Sequence, residues 1–417
     1  MSVADSTNAP PRPTTGTRAY LPPVPTAAAT TSAPARLRSL DVFRGLTIAL
    51  MVLVNTPGSW SHVYAPLLHA KWDGLTPTDL VFPNFVFIVG VSLTFSLSRV
   101  GWAGERTTAQ QAALGAAGRK VARRVASIFL VGLLLNWFPF FQTHISDLRI
   151  YGVLQRIALA YGLAAAVALL VPRKAWLPVA AALLLAYWAA MWGLAPGPDP
   201  YSLEGNLKRA IDLATVGPAH MYGGFGVPFD PEGLIGLVST AATMLFGAYA
   251  GLLVQRPGQV LAKAKRLALL GVALLFVGLL WHYLFPINKP LWSSSYACAS
   301  SGIASLALAA CVLLVDGTAR QSGREWPAWA SPFVHFGANP LIVYVFSGVI
   351  VRVLIYIVRW EGPGGETVTG LGWLWTDVYS RWGLAPKLAS LLFALTVVLV
   401  CYGFAWGLWR RRVFVKL

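Results

Sequence analysis

The chain has 417 residues, 56% of them hydrophobic and 12% charged, with 17 Trp and 20 Phe. A soluble globular domain carries about 25% charged residues, so the composition excludes one and indicates a polytopic membrane protein. The formal charge of +17 does not indicate a nucleic-acid partner, because Lys and Arg punctuate the apolar runs rather than gather on one face.

Residues 1–35 are rich in Pro, Ala and Thr and have no apolar h-region. They read as a disordered cytoplasmic tail rather than a signal peptide. Residues 36–417 are expected to form one all-α transmembrane domain. Ten spans are predicted, at about 41–57, 79–98, 122–141, 151–171, 175–194, 233–254, 266–285, 296–315, 332–357 and 387–409, each long enough to cross roughly 30 Å of hydrocarbon. Twenty-two Lys and Arg fall in the termini and one set of loops, and seven in the other set, the latter being Lys71, Arg149, Lys208, Arg209, Lys289, Arg359 and Arg381. The positive-inside rule then puts both termini in the cytoplasm, as an even number of spans requires.

The first span carries Asp41, Arg44 and Asn55. Eleven residues return a helix to within about 20° of its start, so Arg44 and Asn55 share a face, roughly 16 Å apart. One reading is an Asp41–Arg44 pair at the headgroups, with Asn55 bonding another helix. The other is the polar wall of a passage, with Arg44 near an anionic ligand at the inner mouth. Next comes His69-Ala70-Lys71-Trp72-Asp73-Gly74-Leu75-Thr76, then Asp79 at the second helix start. Asp79 suits a cap and equally suits orienting an imidazole. His69 can take a proton near neutral pH or accept an acyl group. The third span begins with a basic run that includes Arg123 and Arg124.

Arg156 falls inside the fourth span, where a charge needs a ligand or a partner such as Asp147 or Asp79. Loop 195–232 is Gly/Pro-rich and polar, with Asp199, Glu204, Asp212, His220, Asp230 and Glu232, and could cap an outward-facing site. Two more segments stand out. Pro286-Ile287-Asn288-Lys289-Pro290 is a tight outer loop, and in Gly337-Ala338-Asn339-Pro340 the proline should kink the ninth span. The three cysteines, Cys298, Cys311 and Cys401, fall in apolar segments, and no metal-ligand spacing occurs. There is no Walker sequence, G-x-G-x-x-G, HExxH or G-x-S-x-G.

Together, L-D-V-F-R-G (40–45), Asn55, H-A-K-W-D-G-L-T (69–76), D-L-V-F-P-N-F-V-F-I-V-G (79–90), R-I-Y-G-V-L-Q-R-I-A (149–158), P-I-N-K-P-L-W-S (286–293) and N-P-L-I-V-Y (339–344) resemble the heparan-alpha-glucosaminide N-acetyltransferase family. The resemblance implies transfer of acetyl from cytoplasmic acetyl-CoA to an amino sugar or glycan on the far side. His69 and Asn55 match the family's active-site histidine and asparagine. The expected donor-binding residues are Arg44, Arg123, Arg124 and Arg156, and the expected substrate-binding residues are Trp72, Asp73, Asp79, Asn288, Lys289 and Asn339. No metal is expected. Membrane lipid surrounds the chain, a homodimer is left open, and the expected location is a bacterial inner membrane. Two alternatives stand beside this reading: O-acylation of a cell-surface glycan, and small-solute transport.

Overall fold

The computed structural model describes residues 37–319 and 325–415; the expected tail over 1–35 lies outside the described residues. Among these, eight helices are long and apolar enough to cross a membrane, over Pro77–Leu97, Val153–Leu170, Arg173–Gly193, Gly236–Gln255, Val260–Trp281, Ser294–Gly317, Pro340–Ile357 and Pro386–Arg410. The other two expected spans also fold as helices, over Arg38–Asn55 and Leu114–Trp137. Their mean hydropathy is held down by Arg38, Asp41 and Arg44 in one, and by Arg119, Lys120, Arg123 and Arg124 in the other.

In chain order the principal helices are α1 (Arg38–Asn55), α2 (Val81–Leu97), α3 (Leu114–Trp137), α4 (Val153–Leu170), α5 (Trp176–Gly193), the loop helix α6 (Leu207–Thr215), α7 (Gly236–Gln255), α8 (Val260–Trp281), α9 (Ser294–Cys311), α10 (Ser331–Ala338), α11 (Pro340–Arg352) and α12 (Pro386–Arg410). The expected ninth span is divided: α10 ends at Ala338, and α11 restarts at Pro340, with Asn339 out of helical conformation between them (φ −133°, ψ 52°). A proline at N1 forfeits no hydrogen bond there, because the first-turn N–H groups have no partner within the helix. A two-stranded antiparallel ribbon, Arg359–Glu361 with Thr367–Thr369, follows α11.

At the centre, α2 packs on α7. A methyl group built on Gly90 would lie 2.0 Å from the Met244 carbonyl oxygen, and one on Gly247 would lie 2.1 Å from that of Phe87. Only glycine lets these two backbones approach so closely, the small-residue contact typical of bilayer helices. The same device joins α1 to α10, through Gly45 against the Phe333 carbonyl and Gly337 against the Asp41 carbonyl. The glycines of the L-D-V-F-R-G and F-I-V-G segments are therefore packing residues. Around this centre, Phe87, Ile88, Val91, Ala158, Ala164, Leu245 and Ala248 are fully buried, while α8 exposes Leu269, Val272, Phe276 and Leu280 along its outer face.

The loops that the charge count assigned to one side are tied together at one end of the bundle. The Trp72 indole donates to the Tyr201 carbonyl (2.9 Å), the Gly74 N–H to the Ile287 carbonyl (2.8 Å), and the Ile150 N–H to the His220 carbonyl (3.1 Å). Gly58 reaches Ser390 across the same end, and His62 stacks on Trp375. The more basic segments meet each other instead: Arg106 donates to the Leu169 carbonyl, Arg173 pairs with Glu105, and Arg38 pairs with Glu325.

Candidate active site

A cavity of about 580 Å³ opens at the end formed by the tied loops. Its wall includes Asn55, His69, Lys71, Asp79, Arg149, Arg156, Tyr222, Glu232, Lys289 and Trp292.

The local sequence around His69 builds a rigid seat. Thr76 and Asp79 form a capping box on the 3₁₀ turn Pro77–Leu80, which leads directly into α2. One Asp79 oxygen accepts the Thr76 N–H (3.0 Å), the Ala70 N–H (3.0 Å) and the Thr76 hydroxyl (2.9 Å). The other accepts from His69 Nδ1 at 2.7 Å. Asp79 is buried, whereas the His69 side chain is 47% exposed. With a carboxylate 2.7 Å from Nδ1, the favoured tautomer carries its proton there and leaves Nε2 as the acceptor nitrogen. The cap and the imidazole-orienting role, alternatives in the sequence, are performed together by separate oxygens of one side chain.

Lys289 completes this group from 220 residues away. Its Nζ lies 3.1 Å from His69 Nδ1, 3.3 Å from Nε2 and 3.6 Å from Asp79. Burial lowers the Lys289 pKa from its ordinary value; Asp79 and Glu232 oppose that shift, and Arg156 adds to it. The turn that presents Lys289 is held by Asn288. Its Oδ1 accepts the Leu291 N–H (2.7 Å), and its Nδ2 donates to Asp73 (3.0 Å). Asn288, Asp73 and Trp72 do not line the cavity; they fasten its loops. Trp72 packs edge-on against Phe225 and Phe229.

Opposite stands a carboxylate that the sequence reading did not place in the site. Arg149 forms a two-pronged pair with Asp230 (both contacts 2.8 Å) and reaches Glu232 at 2.6 Å. Burial works against the Glu232 charge, but Arg149 first, then Arg156, Lys208 and Lys289 outweigh it and lower its pKa. In the same loop Lys208 is fully buried and donates to the carbonyls of Pro231 and Pro290. Burial, with Arg156 in the same direction, brings its pKa down to about 7. The signal in the sequence was the Asp230-Pro231-Glu232 triple in the capping loop, but its pairing with Arg149 depends on the loop's path.

Arg156 corrects an expectation. It pairs directly with neither Asp147 nor Asp79. Its guanidinium donates to Thr240 Oγ1 (2.8 Å), the Gly236 carbonyl (3.1 Å) and the Pro231 carbonyl, and lies 4.3 Å from the centroid of the Trp292 ring. Neutral oxygens and an aromatic face thus hold this buried cation at the cavity wall.

Of the remaining expected residues, Asn55 alone lines the cavity. Asn55 is the last residue of α1 and reaches the cavity with no hydrogen bond to its side chain among the described residues. Arg44, three turns below, bonds Asp41 (3.2 Å), Ser92 (2.8 Å) and the Gly337 carbonyl (3.2 Å) and does not line the cavity. Arg123 and Arg124 are exposed on α3 and do not line it either. Asn339 sits at the α10–α11 break and binds the segment after α12, donating to the Val413 carbonyl (2.9 Å) and accepting the Val415 N–H (2.8 Å).

Fold and site define a polytopic helical membrane-type protein with an acid–imidazole–lysine group in a polar cavity at one end. The comparisons sharpen this class. Residues 36–201 match the family described as heparan-alpha-glucosaminide N-acetyltransferase, catalytic, a stretch that contains Asn55, His69, Asp79, Arg149 and Arg156. The chain is similar to the heparan-alpha-glucosaminide N-acetyltransferase of Homo sapiens, 29% identical over 368 residues, which cover 75% of this chain and 52% of the relative. It is also similar to that of Mus musculus, 28% identical over 367 residues, covering 74% and 53%. The chain thus spans about half the length of the curated relatives it matches.

Proposed function

We propose that this chain is a membrane acetyltransferase that moves acetyl from acetyl-CoA to the amino group of a glucosamine-like sugar. The observation that carries this is the His69–Asp79 pair, with Lys289 beside it, in a cavity that Asn55 and Glu232 also line. A cavity of about 580 Å³ is within the ordinary size range of small-molecule sites and leaves room for an acyl thioester to meet a sugar amine.

In this reading the neutral amine attacks the thioester carbonyl. The new N–C bond forms as the C–S bond breaks, His69 Nε2 takes the amine proton, and the thiolate leaves with CoA and is protonated. The Asn55 amide and the Lys289 ammonium donate to the carbonyl oxygen as it gains negative charge. Asp79 keeps the imidazole in the tautomer that leaves Nε2 unprotonated, and Lys289, 3.3 Å away, swings to the carbonyl oxygen when substrate binds. Glu232 offers a fixed negative charge to an acceptor arriving as its ammonium form. The donor enters from the cytoplasm, past Arg44, with the acceptor on the opposite side; the charge asymmetry of the loops supports this sidedness.

The test is reconstituted protein supplied with acetyl-CoA and either glucosamine or a sugar bearing only hydroxyls. The expected result is CoA release matched by N-acetylglucosamine. Release matched only by O-acetyl product would replace the amine acceptor with a hydroxyl. No donor turnover or binding at all would leave the cavity to a transported solute.

A further inference from the structure

A second large concavity, about 690 Å³, lies between α3 and α4 and shares no lining residue with the first. Gly118, Val121, Val125 and Phe129 of α3 face Gly162 and Leu169 of α4 across it. All its lining residues are apolar or glycine. It opens outward: Leu130 and Leu170 on its rim are 56% and 69% exposed, and only Ile128, Gly132 and Leu135 of α3 are buried.

Charge is concentrated beside the part of this groove between Gly118 and Val125. Arg119, Lys120, Arg123 and Arg124 are all exposed there, and no acidic residue occurs between Arg106 and Ser146. Among the described residues the side chains of Arg119, Lys120 and Arg123 make no ion pair or hydrogen bond to the protein. Arg119, Arg123, Ala126 and Leu130 follow one another at helical steps of four, three and four, so they form a single stripe, and Ala126 and Leu130 line the groove. One rim is therefore cationic at one end and apolar along the rest. On the other rim the Arg124 guanidinium lies 5.0 Å from the centroid of the Tyr161 ring of α4. From Arg119 to Leu130 the stripe runs roughly 16 Å, close to the ~15 Å depth of one leaflet.

We propose that this groove is a binding site for an anionic phospholipid, its phosphate on Arg119 and Arg123 and an acyl chain along Val125, Ala126 and Phe129. Charge favours this occupant over a second copy of the chain. Two copies in one membrane share an orientation, so a symmetric contact through α3 would press the two arginine clusters together. The proposal does not depend on the acetyltransferase reading, and neither Arg123 nor Arg124 lines the catalytic cavity.

Native mass spectrometry of the purified full chain tests it, with phosphatidylglycerol or phosphatidylcholine of identical acyl chains added in a mild detergent. One phosphatidylglycerol should bind at least roughly tenfold more tightly than phosphatidylcholine, since each basic residue at the surface favours an anionic headgroup. Arg119→Gln with Arg123→Gln should abolish that preference and leave weak binding of both lipids. Ala122→Phe, which fills the groove and keeps every charge, should weaken both. These substitutions fall on the exposed face of α3, and an unchanged elution volume verifies folding. Equal affinity for the two lipids, or wild-type selectivity in both variants, overturns the proposal. A dimer that Ala122→Phe dissociates in lipid-free protein would do so too, by giving the groove to a second copy.

Discussion

His69 owes its geometry to residues that do no chemistry themselves, which makes substitutions informative. His69→Ala should reduce acetyl transfer by at least about a hundredfold, the scale of general acid–base catalysis. The half-exposed side chain leaves no core cavity, so thermal unfolding in detergent should shift only by the hydrogen bond lost to buried Asp79, about 1 kcal/mol. Asp79→Asn should behave differently because Asp79 does two jobs. Turnover should fall by roughly ten- to a hundredfold as the imidazole loses its orienting carboxylate, and the protein should lose about 1 kcal/mol because the single amide oxygen of Asn cannot serve both the cap and the imidazole. Equal turnover with lower stability would reduce Asp79 to a cap. Glu232→Gln should raise the KM for an amine acceptor and leave that for acetyl-CoA unchanged; the reverse pattern would assign Glu232 to the donor. His69 and Asp79 were legible together because ten residues separate them and the chain only has to turn once. Lys289 was legible as part of a motif but not as a neighbour of His69, and Glu232 was legible as part of a capping loop but not as a wall of the cavity. Their proximity is made by the whole bundle, which a single sequence does not display.

At the scale of elements, helix contacts through glycine predict where substitution is least tolerated. Gly247→Leu would drive a side chain into the Phe87 carbonyl, which belongs to a helix backbone and cannot turn aside. Overpacking costs typically 1–3 kcal/mol, and here the helices α2 and α7 must separate, so both the yield of folded protein and its melting temperature should drop. Gly403→Leu on α12, where a methyl group meets no other atom within 4 Å, is the matched control and should be nearly silent. Apolar runs made the helices readable, since twenty residues without charge have few other fates. The break at Asn339 was readable from Pro340. The arginines of α3 do not line the cavity, because charge fixes which end of a helix lies at the surface, not which face turns toward a cavity. Trp72, Asp73 and Asn288 looked like ligand contacts for a similar reason: a polar loop side chain that ties two loops together has the same composition as one that binds a ligand.

For the whole molecule, the charge asymmetry and the clustering of the less basic loops at one end make sidedness testable. A cysteine at Arg412 should be labelled by an impermeant reagent only from the cytoplasmic side, and one placed within 200–210 only from the other. In sealed vesicles of known orientation acetyl-CoA should support reaction from the cytoplasmic face alone, and the sugar from the opposite face alone. If both substrates are needed on one face, transfer is one-sided, although His69 would keep its role.

The capping box has one more consequence. Asp79 is bonded through one oxygen to the first turn ahead of α2 and through the other to the imidazole, so the basic atom moves with a transmembrane helix rather than with the loop that carries it. A helix whose apolar length exceeds the surrounding hydrocarbon tilts, and one that is too short draws the bilayer thinner. Bilayer thickness is therefore expected to reach His69 through α2. Turnover measured across phosphatidylcholines of increasing chain length should pass through an optimum, while His69→Ala background activity should stay flat.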